Sequence, residues 1–182
     1  FVTNGYLTTE ALEMIDPYLD AANVDLKAFT DKYYKELCGA GLKHVQATLK
    51  SMKSLGIFVE VTTLVVPGLN DNPSELSDLA AFIVQDLGPE TPWHISRFHP
   101  TYKLTDRPST PVQTLTMARE IGLKAGLKYV YTGNVPGNAA ENTFCFSCSE
   151  TVIERRGFQV GNLRLKNGRC TKCGAEIDGV WE

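Results

Sequence analysis

The chain reads as an α/β protein with a mainly parallel sheet, followed by a small metal-stapled β tail. Three observations predict this: a long β-branched run at Ile57–Val66, the alternation of strand-like and helix-like segments over residues 1–137, and two Cys-x2-Cys hooks beyond residue 138. Residues 57–66 are β-branched or apolar on both alternating faces, apart from Glu60. That pattern predicts a parallel strand covered on both sides. Pro67-Gly68 ends it, Asn72 is placed to cap the helix that Pro73 starts, and Glu75 is placed to return the capping bond.

The remaining segments follow in order. After Phe1-Val2-Thr3, Thr9 is read as the cap of a short helix carrying Leu12 and Ile15, which Pro17 ends. Residues 23–29 alternate, so Asn23, Asp25 and Lys27 share one face while Val24, Leu26 and Ala28 share the other. In a sheet covered on both faces, such a polar side must line a crevice. Residues 30–41 read as a helical excursion ended by glycines, and Leu42, Val45, Leu49 and Met52 as the core stripe of a helix stopped by Gly56. A helix follows with Leu76, Leu79, Ala80, Ile83 and Leu87 in its stripe. Trp93–Pro100 is a further strand, with Arg97 and His99 on one face near its carboxyl end. Residues 100–110 form a long polar loop of the kind that often binds ligands. Thr110-Pro111 then caps a helix through Leu115, Ala118, Ile121 and Leu123, and Lys128–Thr132 is the last strand of the series. Repeated β-α order leaves a barrel and an open doubly wound sheet both possible. Neither G-x-G-x-x-G nor a P-loop occurs.

The 182 residues carry a formal charge of −3, which gives no global attraction to nucleic acid or anionic lipid. No stretch approaches the ~18 consecutive apolar residues of a membrane span, so a soluble, cytoplasmic protein is expected. Opening on strand-like Phe1-Val2-Thr3 predicts a fragment of a longer chain.

Cys145-x2-Cys148 and Cys170-x2-Cys173 are separated by 21 residues, the spacing of a four-thiolate zinc ribbon. Four thiolates leave no open coordination position, so the metal is read as structural, with rubredoxin-like iron as the rival. Residues 153–158 and 160–165 are read as a hairpin between the hooks. Residues 155–172 hold six basic residues and no acidic one. This keeps a second function class in view, a zinc-ribbon module on an α/β platform that binds protein or nucleic acid without chemistry. Cys38, alone on its helix, is read as an apolar filler.

Taken together and in order, Thr3-Asn4-Gly5, Asn23-Val24-Asp25-Leu26-Lys27, Glu60–Leu64, Pro67-Gly68-Leu69-Asn70-Asp71, Pro92–Pro100 and Tyr129–Val135 resemble radical S-adenosylmethionine enzymes of the AmmeMemoRadiSam type. These are relatives of pyruvate formate-lyase-activating enzyme. The tail from Asn142 to Trp181 is similar to that group's terminal zinc ribbon. The resemblance implies a partial (β/α)6 barrel over residues 1–137 and a four-cysteine zinc ribbon over 138–182. It also implies S-adenosylmethionine beside a [4Fe-4S] cluster, whose reductive cleavage gives a 5′-deoxyadenosyl radical for hydrogen abstraction. Asn4, Asp25, Lys27 and His99 are the cofactor contacts it implies, and catalytic residues stay unassigned. An electron donor and a protein or small-molecule substrate, including a Memo-type companion protein, are the partners implied. The family's Cys-x3-Cys-x2-Cys cluster motif and its glycine-rich methionine-binding strand end are absent, so this chain alone is expected to be inactive.

Overall fold

A computed structural model describes residues 1–157 and 159–181. Five parallel strands form the main sheet: β1 (Val2–Thr3), β2 (Ala21–Asp25), β3 (Phe58–Val65), β4 (Trp93–Arg97) and β5 (Val130–Gly133). They lie side by side in chain order. That order separates the two architectures the sequence left open. When every right-handed crossover advances in the same direction, all helices fall on one face of the sheet, as in a barrel; a doubly wound sheet requires the order to reverse. The sheet therefore has the strand order of a parallel (β/α) barrel wall and not that of a doubly wound sheet.

Between the strands run α1 (Thr9–Ile15), α2 (Asp31–Tyr33, continuing as a π turn to Cys38), α3 (Leu42–Ser54), α4 (Pro73–Phe82, with a π turn to Leu87) and α5 (Val112–Ala125). Their apolar stripes meet one face of the sheet, where Val24, Leu26, Val61, Trp93 and Ile95 are fully buried with Leu49, Leu79 and Leu115. Trp93 keeps its indole N–H satisfied by donating to Thr63 Oγ1 at 3.0 Å, and Thr63 donates in turn to the Leu26 carbonyl at 2.8 Å.

The other face corrects the expectation of a strand covered on both sides. On β3 the alternate residues Glu60 and Thr62 are half-buried, and Leu64 is 39% exposed. On that side Glu60 and Thr62 line a cavity, so it is the inner face of the sheet.

Several caps also differ from the sequence reading. Thr8, rather than Thr9, accepts from Ala11 N–H and starts α1. Asn72 caps α4 through Ser74 N–H as expected, but Glu75 does not return the bond: its carboxylate accepts from Phe29 N–H at 2.7 Å and ties the loop after β2 to α4. Thr110 does not cap α5. Its hydroxyl donates to the Val65 carbonyl and accepts from Phe98 N–H, leaving Pro111 at the cap position. In α5 it is Gly122 that is buried, while Leu123 is 39% exposed.

Beyond β5 a single 3-10 turn (Ala139–Glu141) leads to a three-stranded antiparallel sheet of β6 (Thr143–Phe144), β7 (Thr151–Arg156) and β8 (Gln159–Leu163). A second hairpin pairs β9 (Leu165–Lys166) with β10 (Arg169–Cys170). The hairpin between the hooks matches the sequence reading, although Phe158, assigned to its first strand, lies outside the described residues. Val152, Ile153 and Ile177 form a small apolar cluster with Cys145, Cys170 and Tyr129 of the barrel part. The tail thus packs onto the residue that precedes β5.

Candidate cofactor rim, inner cavity and metal centre

Because the strands are parallel, their carboxyl ends share one edge, and the four residues implied as cofactor contacts all fall there. Asn4 follows β1, Asp25 closes β2, Lys27 lies two residues beyond it, and His99 lies two residues beyond β4. Asp25 and Lys27 are joined by a 2.7 Å ion pair, each side chain about one-third exposed. The backbone at Lys27 is held by two buried groups. Its N–H donates to Tyr34 Oη at 3.1 Å, and its carbonyl accepts from Asn70 Nδ2 at 2.6 Å. Asn70 also bridges the end of β3, donating to the Leu64 carbonyl at 2.9 Å and accepting from Val66 N–H at 2.7 Å. The Pro67–Asp71 loop is therefore the clasp that fixes the rim between β2 and β3. Burial pushes the Tyr34 phenol well above its usual pKa, so it stays a neutral partner for this clasp.

Asn4 and Lys27 line a common cavity of about 650 Å3 with Tyr33, Tyr34, Cys38 and Lys103. The last of these shows that the loop after β4 crosses the rim toward α2. His99 is not brought into this group. It is exposed further along the rim, with Ser109 Oγ 3.2 Å from Nδ1 and the Asn134 carbonyl 3.5 Å from Nε2. Arg97, expected to share a face with His99, donates from Nε to the Thr110 carbonyl at 2.8 Å and serves the loop.

The inner face below the rim carries a polar row that the sequence reading did not assemble. Asn23, Glu60, His94 and Tyr131 come one from each of β2 to β5. Asn23 donates to Glu60 at 3.4 Å and accepts from Thr62 at 2.7 Å, and His94 Nε2 lies 3.0 Å from Glu60 Oε2. The imidazole stacks on Tyr131 with centroids 5.0 Å apart, and the Arg155 guanidinium of β7 lies 5.7 Å from the centroid of the Tyr131 ring. The hydrogen bond from His94 holds the Glu60 carboxyl below its usual range although burial opposes this, while burial pushes the Tyr131 phenol up. The row lines a cavity of about 1090 Å3 between the barrel wall and the tail. The signal was available: each of these residues has a polar or small neighbour two positions on, at Asp25, Thr62, Ser96 and Gly133.

The four tail cysteines converge. Their Sγ atoms all lie within 4.8 Å of one another, with Cys145 to Cys173 at 3.6 Å and Cys148 to Cys170 at 3.8 Å. A tetrahedral ion with metal–sulfur bonds of about 2.3 Å needs sulfur–sulfur edges of about 3.8 Å. The two hooks are built alike. Cys145 O accepts from Ser149 N–H and Cys170 O from Gly174 N–H, and each turn closes on a residue with positive φ, Ser149 at 59° and Gly174 at 77°. The donor set thus fits a metal ion. Cys38 stands apart in the π turn after α2, its thiol pushed up by burial. Among the described residues the tail quartet is the one group of three or more His, Cys, Asp or Glu side chains placed to hold a metal ion.

No family model matches this chain. It is 49% identical over 181 residues to an uncharacterized protein of Methanocaldococcus jannaschii, covering 98% of this chain and 54% of that protein. It is 31% identical over 88 residues to the isethionate sulfite-lyase activating enzyme of Nitratidesulfovibrio vulgaris, covering 47% of this chain and 28% of that enzyme. The chain therefore spans about half or less of the curated relatives it matches. Among solved structures, a domain of a pyruvate-formate lyase-activating enzyme from Bacteroides vulgatus superposes with a TM-score of 0.63 at 12% identity, over 72% of this chain and 79% of that one. That likeness shows the fold.

Proposed function

We propose that this chain is the carboxyl-terminal part of a radical S-adenosylmethionine enzyme of the AmmeMemoRadiSam type, with residues 1–137 as the later part of the barrel and 138–182 as a zinc ribbon. The observation that carries this reading is the Asp25–Lys27 ion pair at the carboxyl edge of the parallel sheet, with Lys27 lining a cavity together with Asn4. The similarity to an activating enzyme supports it. Asn4, Asp25 and Lys27 offer the neutral, acidic and basic groups that a ribose and an amino-acid moiety require, with His99 further along the same rim. When bound, S-adenosylmethionine supplies a hydrogen-abstracting radical on one-electron reduction. The chain's own contribution is to orient: Asn70 and Tyr34 fix the Lys27 backbone, and the Asp25 carboxylate keeps the ammonium directed along the rim.

The sequence has no Cys-x3-Cys-x2-Cys and Cys38 stands apart from the tail quartet, so on this reading the [4Fe-4S] ligands belong to another part of the parent enzyme, and this chain alone turns nothing over. The tail metal is zinc in a closed four-sulfur site with a structural role. Five free cysteines accord with a reducing cytoplasm. Arg164, Arg169 and Lys172 are paired with Glu150 or Glu176, which removes much of the basic surface that a nucleic-acid module would use. The substrate is a protein or small molecule met on the inner side of the barrel. An electron donor and a Memo-type companion protein complete the expected partners.

Anaerobic iron–sulfur reconstitution tests the reading. The parent enzyme with dithionite should release 5′-deoxyadenosine from S-adenosylmethionine, and this chain alone should show no cubane absorbance. A Lys27→Met variant of the parent should lower S-adenosylmethionine affinity about tenfold or more. A cubane spectrum on this chain alone would sink the proposal.

A further inference from the structure

The inner cavity contains acids and arginines in different states of engagement. Glu60 is held by His94 and Asn23, and the Glu141 carboxylate accepts from Gly157 N–H at 3.1 Å. The arginines lack such partners. Among the described residues no carboxylate lies within 4.0 Å of the Arg155 or Arg156 guanidinium, whereas in the same tail Arg164 has two and Arg169 has one. Arg156 is exposed, but Arg155 is half-buried and tethered at two points. Its backbone N–H donates to Asn142 Oδ1 at 2.7 Å, and its Nη1 donates to Thr143 Oγ1 at 2.5 Å. A guanidinium has five N–H donors, and the bond to Thr143 uses one of them. The bonds to Asn142 and Thr143 restrain the residue, its guanidinium lies 5.7 Å from the Tyr131 ring centroid, and it lines the cavity, so its further donors can be presented there at reduced entropic cost on binding.

We propose that Arg155 is the anion-recognition residue of the inner cavity, and that the ligand taken there carries an oxyanion, a carboxylate or a phosphate, with its remainder lying along Tyr131, His94 and Glu60. The tail then supplies one wall of the binding site as well as a metal clamp. Calling the ligand a substrate rests on the radical reading above; the anion site does not.

Calorimetric titration of the metal-loaded protein at low salt, with malonate in one arm and inorganic phosphate in the other, tests this. Saturable binding of at least one is expected, and the stronger arm identifies the source of the oxyanion. Arg155→Gln should weaken it about tenfold or more. Arg155→Lys should lose about as much because an ammonium cannot fork, and Arg156→Gln should change it less than about twofold. Metal content and unfolding midpoint of each variant separate lost recognition from lost structure, and Arg155→Lys keeps a donor for Thr143. Absence of saturable binding for both anions, unchanged affinity in Arg155→Lys, or the main loss falling on Arg156→Gln would overturn the assignment. Failure of the parent enzyme to release 5′-deoxyadenosine, with anion binding intact, would count against the radical reading alone.

Discussion

Tyr129 and Asp178 hold each other twice: the phenol donates to Asp178 Oδ2 at 2.8 Å and accepts from the Asp178 backbone N–H at 2.9 Å. Lys128 adds a 2.9 Å ion pair to the same carboxylate oxygen. Burial works to raise the Asp178 carboxyl, but the hydrogen bonds from Lys128 and Tyr129 prevail and hold it below its usual range. These contacts fasten the end of the tail to the residues leading into β5. Tyr129 is only 4% exposed, so Tyr129→Phe removes both bonds inside a closed contact. The expected cost is about 1–3 kcal/mol in urea unfolding, the usual range for orphaning a buried donor.

Asn70→Ala should cost more than an ordinary loop substitution. The side chain is 1% exposed and makes three hydrogen bonds, to Lys27 O, Leu64 O and Val66 N. Removing it leaves three main-chain groups with poorer partners, for about 2–4 kcal/mol in all. Hydrogen exchange should place the loosening at Val66, and a variant that is as stable as the parent protein would show that the clasp is dispensable.

Strand and helix identities were legible because periodicity reports which face is apolar: Val24 and Leu26, or Leu76 and Leu79, can be buried only together. Lateral order was not legible, since nothing local in β3 says which strand pairs with it. The tail was legible because four thiolates at two short spacings have few other uses. The inner row was harder to find. Glu60 and His94 are 34 positions apart, and their 3.0 Å contact depends on β3 and β4 being neighbours with Thr62 opposite His94. Thr110 misled for a related reason: Thr-Pro before a helix is a cap signal, but the long-range carbonyl of Val65 outcompeted the local amide. His99 reached the expected edge without reaching the other predicted residues, because chain order fixes the edge and not the distance along it.

The Glu60 carboxyl predicts an acid dependence. Its folded pKa is depressed, chiefly by the His94 hydrogen bond, so its contribution is present above the unfolded carboxyl pKa of about 4.3 and is lost as pH falls through the lower folded value. With the side chain 36% exposed, solvent screening limits the effect to under about 1 kcal/mol. Unfolding midpoints followed from pH 7 to pH 3 should fall more steeply for the parent protein than for Glu60→Gln. Superimposable acid limbs would count against the pairing.

Gly122→Ala tests how closely α5 sits on the sheet. A Cβ there would lie 2.9 Å from Trp93 Cε3 and 3.0 Å from Val130 Cγ2. Trp93 is fully buried and fixed by its bond to Thr63, so it cannot turn aside, and the helix must move instead. Helix propensity favours alanine by up to ~1 kcal/mol, against about 1–3 kcal/mol for overpacking. A net loss of stability in thermal unfolding is expected, and a gain would mean that α5 is more loosely seated than these distances imply.

Removing the tail metal should separate the two parts of the molecule physically. Val152, Ile153 and Ile177 are a small apolar set, and β6 and β10 are two-residue strands, so the tail depends on four sulfurs meeting at one ion. The barrel part has its own buried cluster and contains none of the four ligands. A strong chelator, or Cys170→Ser, is therefore expected to abolish amide protection across β7 while leaving β3 protected. Tyr131 reports the boundary: its hydroxyl meets Thr143 at 3.0 Å and its ring lies under Arg155, so its side-chain resonances should shift as the tail opens. Concerted loss of protection in β3 and β7 would instead mean that the metal holds the whole fold together.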